Sequence, residues 1–401
     1  MFRDRTVVLG VTGSIAAFKA ADLASQLTQG GARVYTIMTS SAQEFVTPLT
    51  FRSLTNQPVI TDMFDPASEF AIQHVALAQQ ADVLVISPAT ANIIAKLAAG
   101  TADDMLTLTA LATKAPILLA PAMDADMYQN PATQDNVARL KDRGVTIVGP
   151  AFGRLASGLE GLGRLVGTET LLGAMRQLLG RDGDLAGKRV VITAGGTQEP
   201  LDPIRHLTNR SSGKMGYALA EAARDRGARA LLITAPAAFP DPSGIDLVRV
   251  RTAQEMRDAV LAAVAGMDAL IMAAAVADYR PTHTAKAKIK KTGDGLTLQL
   301  ERTPDILLEA RGDFLRVGFA AESENLTANA SRKLRDKDLD LIVANQAGGP
   351  QDAFGTDRSQ VTIIAQKGRP ETLPLLSKTE VADRVLDRMA QMLAKNRAAA
   401  G

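Results

Sequence analysis

The chain has 401 residues, 46% of them hydrophobic, so it can bury a large core, and its length predicts two or three domains. The formal net charge of +2 gives no electrostatic reason to expect nucleic acid or an anionic membrane surface as a partner. The absence of cysteine excludes disulfides, thiolate metal sites and a thiol nucleophile. Because the sequence has neither an apolar run of transmembrane length nor a signal-peptide pattern, we expect a cytoplasmic protein.

The chain begins the same kind of unit twice. The apolar run TVVLGV at Thr6 to Val11 is followed by a glycine turn, a helical pattern, a Gly-Ala stop and a second apolar run, RVYTIMT. The same order starts again with RVVIT at Arg189 to Thr193 and ends in RALLITA. Such fully apolar runs are typical of parallel strands covered on both faces. The sequence therefore predicts two α/β domains, 1–182 and 187–401, joined by the polar, glycine-rich LLGRDGDLAGK.

Two turns of the first half precede predicted helices at the ends of predicted strands. TGSIAAFK (12–19) brings backbone N–H groups and a hydroxyl to a helix N-terminus, which favours an anion, although a strand-to-helix turn also needs glycine for steric reasons. SPATANIIAKLAAG (87–100) is a second turn of this kind, and two of them can hold a phosphate and a ring system. The glycine-rich RLASGLEGLGR (154–164) is predicted to be a mobile loop or flap without regular structure.

Five segments of the first half, FVTPLTF, IQHVAL, SPATAN, PAMDADMY and LASGLEGLGR, resemble the homo-oligomeric flavin-containing cysteine decarboxylases in order and spacing. Within that group they are most similar to the decarboxylase half of the bacterial bifunctional phosphopantothenoylcysteine decarboxylase and phosphopantothenate cysteine ligase. The resemblance implies a Rossmann-like, flavodoxin-type domain that forms trimers and binds FMN between subunits. It assigns His74 as the catalytic histidine, where the residues alone leave a structural histidine open. It assigns to the flavin-binding motifs Gly13, Ser14, Thr39, Ser87, Thr90, Ala91 and Asn92.

The chemistry that the resemblance implies starts by oxidising the substrate thiol to a thioaldehyde, whose C=S group takes up the electrons when CO₂ leaves. Two residues depart from the family pattern. Ser157 stands where the family has the cysteine that protonates the enethiol, and a hydroxyl is a far weaker acid than a thiol. Asp124 replaces an asparagine that faces the substrate carboxylate, so either a charged His74 lies between the two anions or Asp124 is turned away. A flavin-binding domain that has lost decarboxylation is therefore an alternative.

The second half contains a lysine in the turn TNRSSGKMG, which is not a phosphate-binding P-loop. Thr208 holds the position of the required glycine, and Met215 instead of Ser or Thr follows Lys214. Further along, KAKIKKTGDGLTLQLE (286–301) alternates around a Gly-Asp-Gly turn and predicts a β-hairpin. Alternation would place Lys286, Lys288 and Lys290 on one face, either to bind a triphosphate or to protect an edge strand.

Six segments of the second half, AGGTQEPLDPIRHLTNRSSGKMG, AAAVADYRP, KIKK, TPDIL, VGFAAE and DLDLIVAN, are similar in order to the phosphopantothenate cysteine ligase module. The resemblance implies that CTP activates 4′-phosphopantothenate as an acyl-cytidylate, which then reacts with cysteine. It implies that Lys288 contacts the nucleotide, that Asp278 contacts the nucleotide and Mg²⁺, that Asn209 holds the acyl-cytidylate and that Arg205 acts in its conversion. The rest of the implied nucleotide site consists of Met272, Ala273, Ala274, Pro304, Asp305, Ile306, Leu307, Phe319, Lys333 and Lys337.

Several of these residues could instead have purely structural roles. Asp278 could cap a turn, and Lys333 and Lys337, which are four apart on a predicted helix, could belong to a solvated face. The resemblance further implies dimers through the second domain, and hence a dodecamer when combined with the trimers. A nicotinamide-dependent reductase is a second alternative, suggested by the repeated strand, turn and helix. The sequence lacks the GxGxxG turn with a following ribose-binding acid that such an enzyme needs.

Overall fold

The computed structural model describes residues 2–63, 73–291, 295–346 and 356–400, without the side chains of residues 73, 74 and 396–400. The chain divides into two compact units, Met1–Leu179 and Gly180–Gly401. Within the ranges just given, no helix has both the length and the apolar character needed to cross a membrane.

The first unit is built on a six-stranded parallel sheet in the order β3-β2-β1-β4-β5-β6. Its strands are β1 (Thr6–Val11), β2 (Arg33–Met38), β3 (Val59–Ile60), β4 (Val83–Ala89), β5 (Ile117–Pro121) and β6 (Thr146–Ile147). Its helices are α1 (Ala17–Gln29), α2 (Ser40–Gln43), α3 (Pro48–Thr55), α4 (Gln73–Gln80), α5 (Ala91–Ala99), α6 (Met105–Ala112), α7 (Ala125–Gln129), α8 (Pro131–Asp142) and α9 (Thr168–Gly180). A separate antiparallel pair consists of β7 (Ala151–Arg154) and β8 (Glu160–Arg164).

Alternate residues of β1 pack into different layers. Val7 and Leu9 belong to a cluster with Leu23 of α1, whereas Val8 belongs to a second cluster with Ile94 of α5. Successive side chains of a strand point to opposite faces, so a strand that is apolar throughout needs a helical layer on each side. The three-layer arrangement predicted from the apolar run TVVLGV is confirmed.

The second unit has an eight-stranded sheet in the order β13-β12-β9-β14-β17-β18-β20-β21, with parallel pairing from β13 to β18 and antiparallel pairing of β20 with both β18 and β21. Its strands are β9 (Arg189–Ala194), β12 (Arg229–Thr234), β13 (Asp246–Arg249), β14 (Ala269–Met272), β17 (Leu315–Glu322), β18 (Leu341–Gln346), β20 (Val361–Ala365) and β21 (Glu371–Thr372). Its helices are α10 (Lys214–Asp225), α11 (Ala253–Ala263), α12 (Ile306–Glu309), α13 (Leu326–Asp336) and α14 (Lys378–Ala400). Three short antiparallel pairs are β10 (Gln198–Pro200) with β11 (His206–Thr208), β15 (Tyr279–Pro281) with β16 (Leu300–Arg302), and β19 (Arg358–Ser359) with β22 (Leu376–Ser377).

The second sheet is also covered on both faces. Ile192 of β9 packs with Leu219 of α10, and its neighbour Val191 packs with Met256 of α11. The predicted fold class, two Rossmann-like three-layer α/β domains, is therefore confirmed for both units.

Two local predictions were wrong. RLASGLEGLGR is not irregular, because it supplies β8 and the end of β7. Its glycines permit close approach to the loop after β5: a Cβ on Gly163 would lie 2.2 Å from the Met123 carbonyl oxygen, and one on Gly161 would lie 2.6 Å from the Ala125 Cβ. The hairpin predicted over 286–301 is wrong in its first arm, because residues 286–291 form no strand and β16 pairs instead with β15; residues 292–294 of the predicted turn lie outside the described residues. The inference that strand alternation aligns the three lysines therefore fails.

Helix α10 packs directly on the end of β9 at a glycine. A Cβ on Gly216 would lie 2.5 Å from the Ala194 Cβ and 2.6 Å from the Thr193 carbonyl oxygen. We expect Gly216→Ala to lower the free energy of unfolding of the second unit by about 1–3 kcal/mol, because the helix must move away from the strand. Urea unfolding followed by circular dichroism measures the change.

The matched control for this substitution is Gly295→Ala, where an added Cβ meets nothing within 4 Å. We expect it to change the free energy of unfolding by less than about 0.5 kcal/mol. Equal stabilities for the two variants would contradict the close packing of α10 on β9.

Candidate active sites

A cavity of about 910 Å³ opens at the carboxyl ends of the strands of the first sheet. This is where ligands bind in open α/β sheets. The turns after β1, β2, β4 and β5 and the β7–β8 turn all contribute to its wall. The cavity brings together eight of the residues predicted from the sequence, which are Gly13, Ser14, Thr39, Thr90, Ala91, Asn92, Asp124 and Ser157.

A buried threonine joins the two turns that were predicted to bind an anion. The Thr12 hydroxyl donates to the Pro88 carbonyl oxygen at 2.7 Å and accepts from the Thr90 N–H at 3.2 Å. The Thr90 hydroxyl in turn accepts from the Ile93 N–H at 3.4 Å as the N-cap of α5. A Cβ on Gly13 would lie only 2.4 Å from the Ser41 Cβ, so glycine keeps the first turn open. The turns thus form a preformed polar cradle that fits a phosphate-bearing ligand.

Cationic side chains that the sequence analysis missed also line this cavity. They are Lys19, Lys96, Arg154 and Arg164. Burial, and then repulsion from the positive charge of Arg164, lower the pKa of Lys19. An anion bound between them would relieve this repulsion. Lys19 ends the quoted turn TGSIAAFK, and the two arginines bound the glycine-rich segment, so position alone could have suggested them.

The two residues that depart from the family pattern contact each other. The Ser157 hydroxyl lies 2.9 Å from an Asp124 carboxylate oxygen and donates to it. Asp124 is also the N-cap of α7 and accepts from the Asp126 N–H at 3.2 Å. The exposed β7–β8 turn is therefore attached to the loop after β5 through these two side chains.

Of the predicted residues of the first unit whose side chains are described, Ser87 does not line the cavity. Ser87 is 1% exposed, and its hydroxyl has no hydrogen-bond partner within the described ranges. His74 belongs to the first turn of α4, but its side chain lies outside what the structure describes. Its catalytic role stays a prediction.

The second unit has a cavity of about 1150 Å³ at the carboxyl ends of β14 and β17. Eleven predicted residues line it, which are Asn209, Met272, Ala274, Asp278, Pro304, Asp305, Ile306, Leu307, Phe319, Lys333 and Lys337. Ala273, Arg205 and Lys288 are not part of its wall.

The loop Ala273 to Asp278 after β14 is fixed by side chains from other loops. Its N–H and C=O groups bond the hydroxyls of Thr193, Thr197 and Thr303. The Asn209 amide nitrogen donates to the Val276 carbonyl oxygen at 3.0 Å and lies 3.4 Å from the Ala275 carbonyl oxygen. Both partners are acceptors, so the orientation of the amide is determined, and its oxygen is the atom left to accept from a ligand.

The lysines of α13 reach the cavity but already have partners. Lys333 lies 2.7 Å from a Glu322 carboxylate oxygen, and Lys337 lies 2.8 Å from an Asp305 carboxylate oxygen. Asp305 also caps α12 by accepting from the Leu308 N–H at 3.4 Å. The two lysines are therefore held at the cavity by carboxylates, which is more specific than a solvated helix face.

Arg205 and Ile289, the neighbour of Lys288, both contact Asp202, a residue that the sequence analysis missed. Asp202 is 3% exposed and accepts hydrogen bonds from the N–H groups of Arg205 and Ile289. Burial raises the pKa of Asp202, but backbone N–H donors and Arg205 outweigh that effect and hold the pKa below its usual range. The carboxylate is thus charged. Lys286, Lys288 and Lys290 are all exposed.

The described residues contain no group of three or more His, Cys, Asp or Glu side chains that could hold a metal ion. Mg²⁺ in nucleotide sites needs only one or two protein carboxylates, because phosphates and water supply the other ligands. Asp278 lines the cavity, whereas Asp305 already pairs with Lys337. The donor set therefore fits Mg²⁺ that arrives with a triphosphate.

Comparison with known proteins assigns both units. Residues 1–180 match the family model described as Flavoprotein, and residues 185–393 match the DNA/pantothenate metabolism flavoprotein C-terminal domain. The chain is 44% identical over 398 residues to the coenzyme A biosynthesis bifunctional protein CoaBC of Bacillus subtilis (strain 168), covering 98% of each chain. It is 44% identical over 409 residues to the protein of the same name from Mycobacterium tuberculosis (strain ATCC 25618 / H37Rv), covering 97% of each.

Among solved structures, the crystal structure of the C-terminal domain of a coenzyme A biosynthesis bifunctional protein CoaBC is 41% identical, with a TM-score of 0.46. It covers 53% of this chain and 99% of that one. The relatives that match almost the whole chain confirm the resemblance stated from the sequence motifs. The chain belongs to the family of bifunctional coenzyme A biosynthesis proteins, in which a flavoprotein domain precedes a pantothenate metabolism domain.

Proposed function

We propose that the chain makes 4′-phosphopantetheine from 4′-phosphopantothenate, cysteine and CTP in two steps. Residues 187–401 carry out the ligation, and residues 1–182 then decarboxylate its product. The observation that carries the proposal is the cavity of the second unit, where eleven predicted residues meet, eight of them from four separate segments of the ligase module.

The ligation needs activation because a carboxylate is a poor electrophile. Attack of the 4′-phosphopantothenate carboxylate on the α-phosphorus of CTP gives an acyl-cytidylate and pyrophosphate, and the cysteine amine then displaces CMP. Cations must balance the charge that develops on the phosphates. Lys333 and Lys337 can do so at the cavity, and exposed Lys288 is the third cation that we assign to the triphosphate.

Three further contributions complete the ligase site. The fixed loop Ala273 to Asp278 offers backbone groups that need no reordering when the nucleotide binds. The Asn209 amide oxygen is available to accept from an N–H donor of the acyl-cytidylate or the incoming amine. When bound, Mg²⁺ would neutralise triphosphate charge, and Asp278 is the cavity carboxylate that would hold it.

For the decarboxylation, the cradle around Gly13 and Thr90 and the cations Lys19 and Arg164 fit the phosphate and ring system of FMN. When bound, FMN would supply the oxidation of the substrate thiol that makes loss of CO₂ possible. The Ser157 hydroxyl donates to Asp124 and so fixes the β7–β8 turn at the cavity. Because a hydroxyl is a weak acid, we assign the proton that the enethiol needs to water or to another group of this turn.

The same contact favours a second candidate, an active ligase fused to a flavin-binding domain that has lost decarboxylation. Asp124, paired with Ser157, faces the cavity as a carboxylate instead of the family's amide. A charged His74 would be needed to bring a substrate carboxylate close to it.

Self-association of this cytoplasmic enzyme is a further part of the proposal. Ile15, Phe18 and Met127 line the first cavity and are 59%, 60% and 51% exposed. Large apolar side chains that are left open around a binding site are typical of a surface covered by another subunit. We propose a homo-oligomer, a dodecamer formed by trimeric contacts of residues 1–182 and dimeric contacts of residues 187–401.

The flavin assignment is tested with Gly13→Ala. We expect this variant to retain several-fold less flavin per chain, because the added Cβ would lie 2.4 Å from the Ser41 Cβ and close the cradle. Absorbance of the purified protein measures the flavin, and Gly167→Ala, where a Cβ meets nothing within 4 Å, is the control. A colourless unsubstituted protein that binds NADPH would favour the reductase instead.

The decarboxylase assignment is tested with phosphopantothenoylcysteine as substrate. We expect the unsubstituted protein to release CO₂, and Ser157→Cys to raise the ratio of 4′-phosphopantetheine to unreduced enethiol by about tenfold or more, because a thiol is the stronger acid. Ser157→Ala, which introduces no acid, is the control. Absence of CO₂ release would support the second candidate, and an unchanged ratio in Ser157→Cys would show that protonation is not limited at this position.

The ligase assignment is tested with Lys288→Gln. We expect this variant to remain folded and to lose CTP-dependent pyrophosphate release, because it lacks a cation on the triphosphate. Lys291→Gln, which removes a neighbouring exposed lysine, is the matched control and should keep the activity. Retained pyrophosphate release in Lys288→Gln would contradict the assignment.

A further inference from the structure

Asp202 joins the two loops that carry the predicted catalytic residues outside the cavity wall. Its Oδ1 atom accepts from the N–H groups of Ile204 and Arg205, both at 2.8 Å. Its Oδ2 atom accepts from the Ile289 N–H at 3.1 Å and lies 3.1 Å from the Arg205 guanidinium Nε. The same guanidinium donates to the Ile289 carbonyl oxygen. One carboxylate therefore contacts both Arg205 and the residue next to Lys288.

The segment that carries Lys288 depends on this contact for its position. Residues 284–291 form no strand or helix. The segment is attached at its beginning, where the Thr284 hydroxyl donates to the Pro200 carbonyl oxygen at 3.1 Å and the Ala285 N–H donates to the Leu201 carbonyl oxygen at 3.0 Å. Beyond Ala285, the bonds that reach the backbone beside Lys288 come from Asp202 and Arg205.

The contacts of Asp202 go beyond those of an aspartate that stabilises only its own turn. An aspartate that only stabilises its own turn accepts from N–H groups one to three residues further along, as Oδ1 of Asp202 does. Oδ2 contacts instead a residue 87 positions away and the Arg205 side chain. Burying a charged group is costly unless it is paired and hydrogen-bonded, so this arrangement specifies one geometry for both loops.

We propose that Asp202 is a positioning residue of the ligase, and that its carboxylate holds Arg205 and Lys288 in one unit. The proposal rests on the proposed function, in which Lys288 serves the formation of the acyl-cytidylate and Arg205 serves its conversion. A single residue outside both half-reactions is thereby needed for both. Substitution of Lys288 or of Arg205 impairs one half-reaction each, whereas loss of Asp202 impairs the two together.

Asp202→Asn tests this role with almost no change in shape. An asparagine side chain has one oxygen acceptor, and its NH₂ group is a donor. That NH₂ group would face other donors, either the Ile289 N–H and the Arg205 guanidinium or the backbone N–H groups of Ile204 and Arg205. We expect kcat for pyrophosphate release and for cysteine-dependent consumption of the acyl-cytidylate each to fall about 10- to 100-fold, because misplaced groups lose reactivity steeply with distance. We expect KM for CTP to change less than about threefold, because the cavity wall is intact.

A readout independent of activity is cleavage by trypsin. Release of the backbone at Ile289 exposes the bond after Lys288, so native-state cleavage there should become several-fold faster in Asp202→Asn. An unchanged circular dichroism spectrum and thermal midpoint of the same preparation show that the chain is otherwise folded.

The matched control is Glu199→Gln. Glu199 is 2% exposed in the neighbouring strand β10 and accepts from the Ala253 N–H at 2.8 Å through one oxygen, which a glutamine keeps. This variant should match the unsubstituted protein in both half-reactions and in cleavage. If Asp202→Asn does not fold, Ile289→Pro removes the N–H donor to Asp202 on the segment without regular structure, while it also fixes φ at 289 and restricts Lys288, and pyrophosphate release should fall about tenfold.

The outcomes separate the two proposals. If the unsubstituted protein shows no CTP-dependent pyrophosphate release, the proposed function fails and this proposal fails with it. If it is active, and Asp202→Asn or Ile289→Pro leaves pyrophosphate release within about twofold, the positioning role alone is refuted. Loss of only one half-reaction in Asp202→Asn, or equal cleavage after Lys288, also refutes it.

Discussion

Both cavities depend on one requirement, that the backbone groups of the loops after parallel strands find hydrogen-bond partners once the sheet ends. Short hydroxyl side chains meet it in both units. Thr12 joins two turns of the first unit, and Thr193 and Thr197 hold the loop after β14 in the second. Because such buried polar groups are costly when unpaired, the loops have one well-defined conformation before any ligand arrives. A ligand can then be recognised by backbone atoms without first having to order them.

In the second cavity, two lysines are already paired with carboxylates of the protein. Lys333 and Lys337 are positioned by Glu322 and Asp305, so the triphosphate of the proposed nucleotide would compete with carboxylates of the protein. Partly exposed ion pairs of this kind contribute little to stability, and exchanging one anionic partner for another is correspondingly inexpensive. The carboxylates keep the lysines extended toward the cavity and lower the repulsion between them while no nucleotide is bound.

Much of this arrangement could be predicted from the sequence, because it follows from local patterns. Apolar runs indicated the buried parallel strands, the turns after them indicated the position of the first cavity, and the segments similar to the ligase module indicated residues of the second. Asp202 could not be predicted, since its decisive partner, Ile289, is 87 residues away and the contact is with backbone atoms. Lys19 and Arg164 were missed although each ends a segment that the sequence singled out, because sequence position does not show that both side chains line one cavity. The glycines at 161 and 163 were misread because close packing and an irregular loop require the same residue type.

The contact between Ser157 and Asp124 has a consequence for the sensitivity of this enzyme to oxidants and alkylating agents. A family site that relies on a thiol is open to peroxide, alkylating agents and heavy metals, all of which attack the thiolate. Here the same turn is held by a hydroxyl and a carboxylate, and the whole chain has no sulfhydryl group. Covalent inhibitors that seek a cysteine would find no target in this protein. Oxidative damage would instead fall on methionine thioethers, which are converted to sulfoxides.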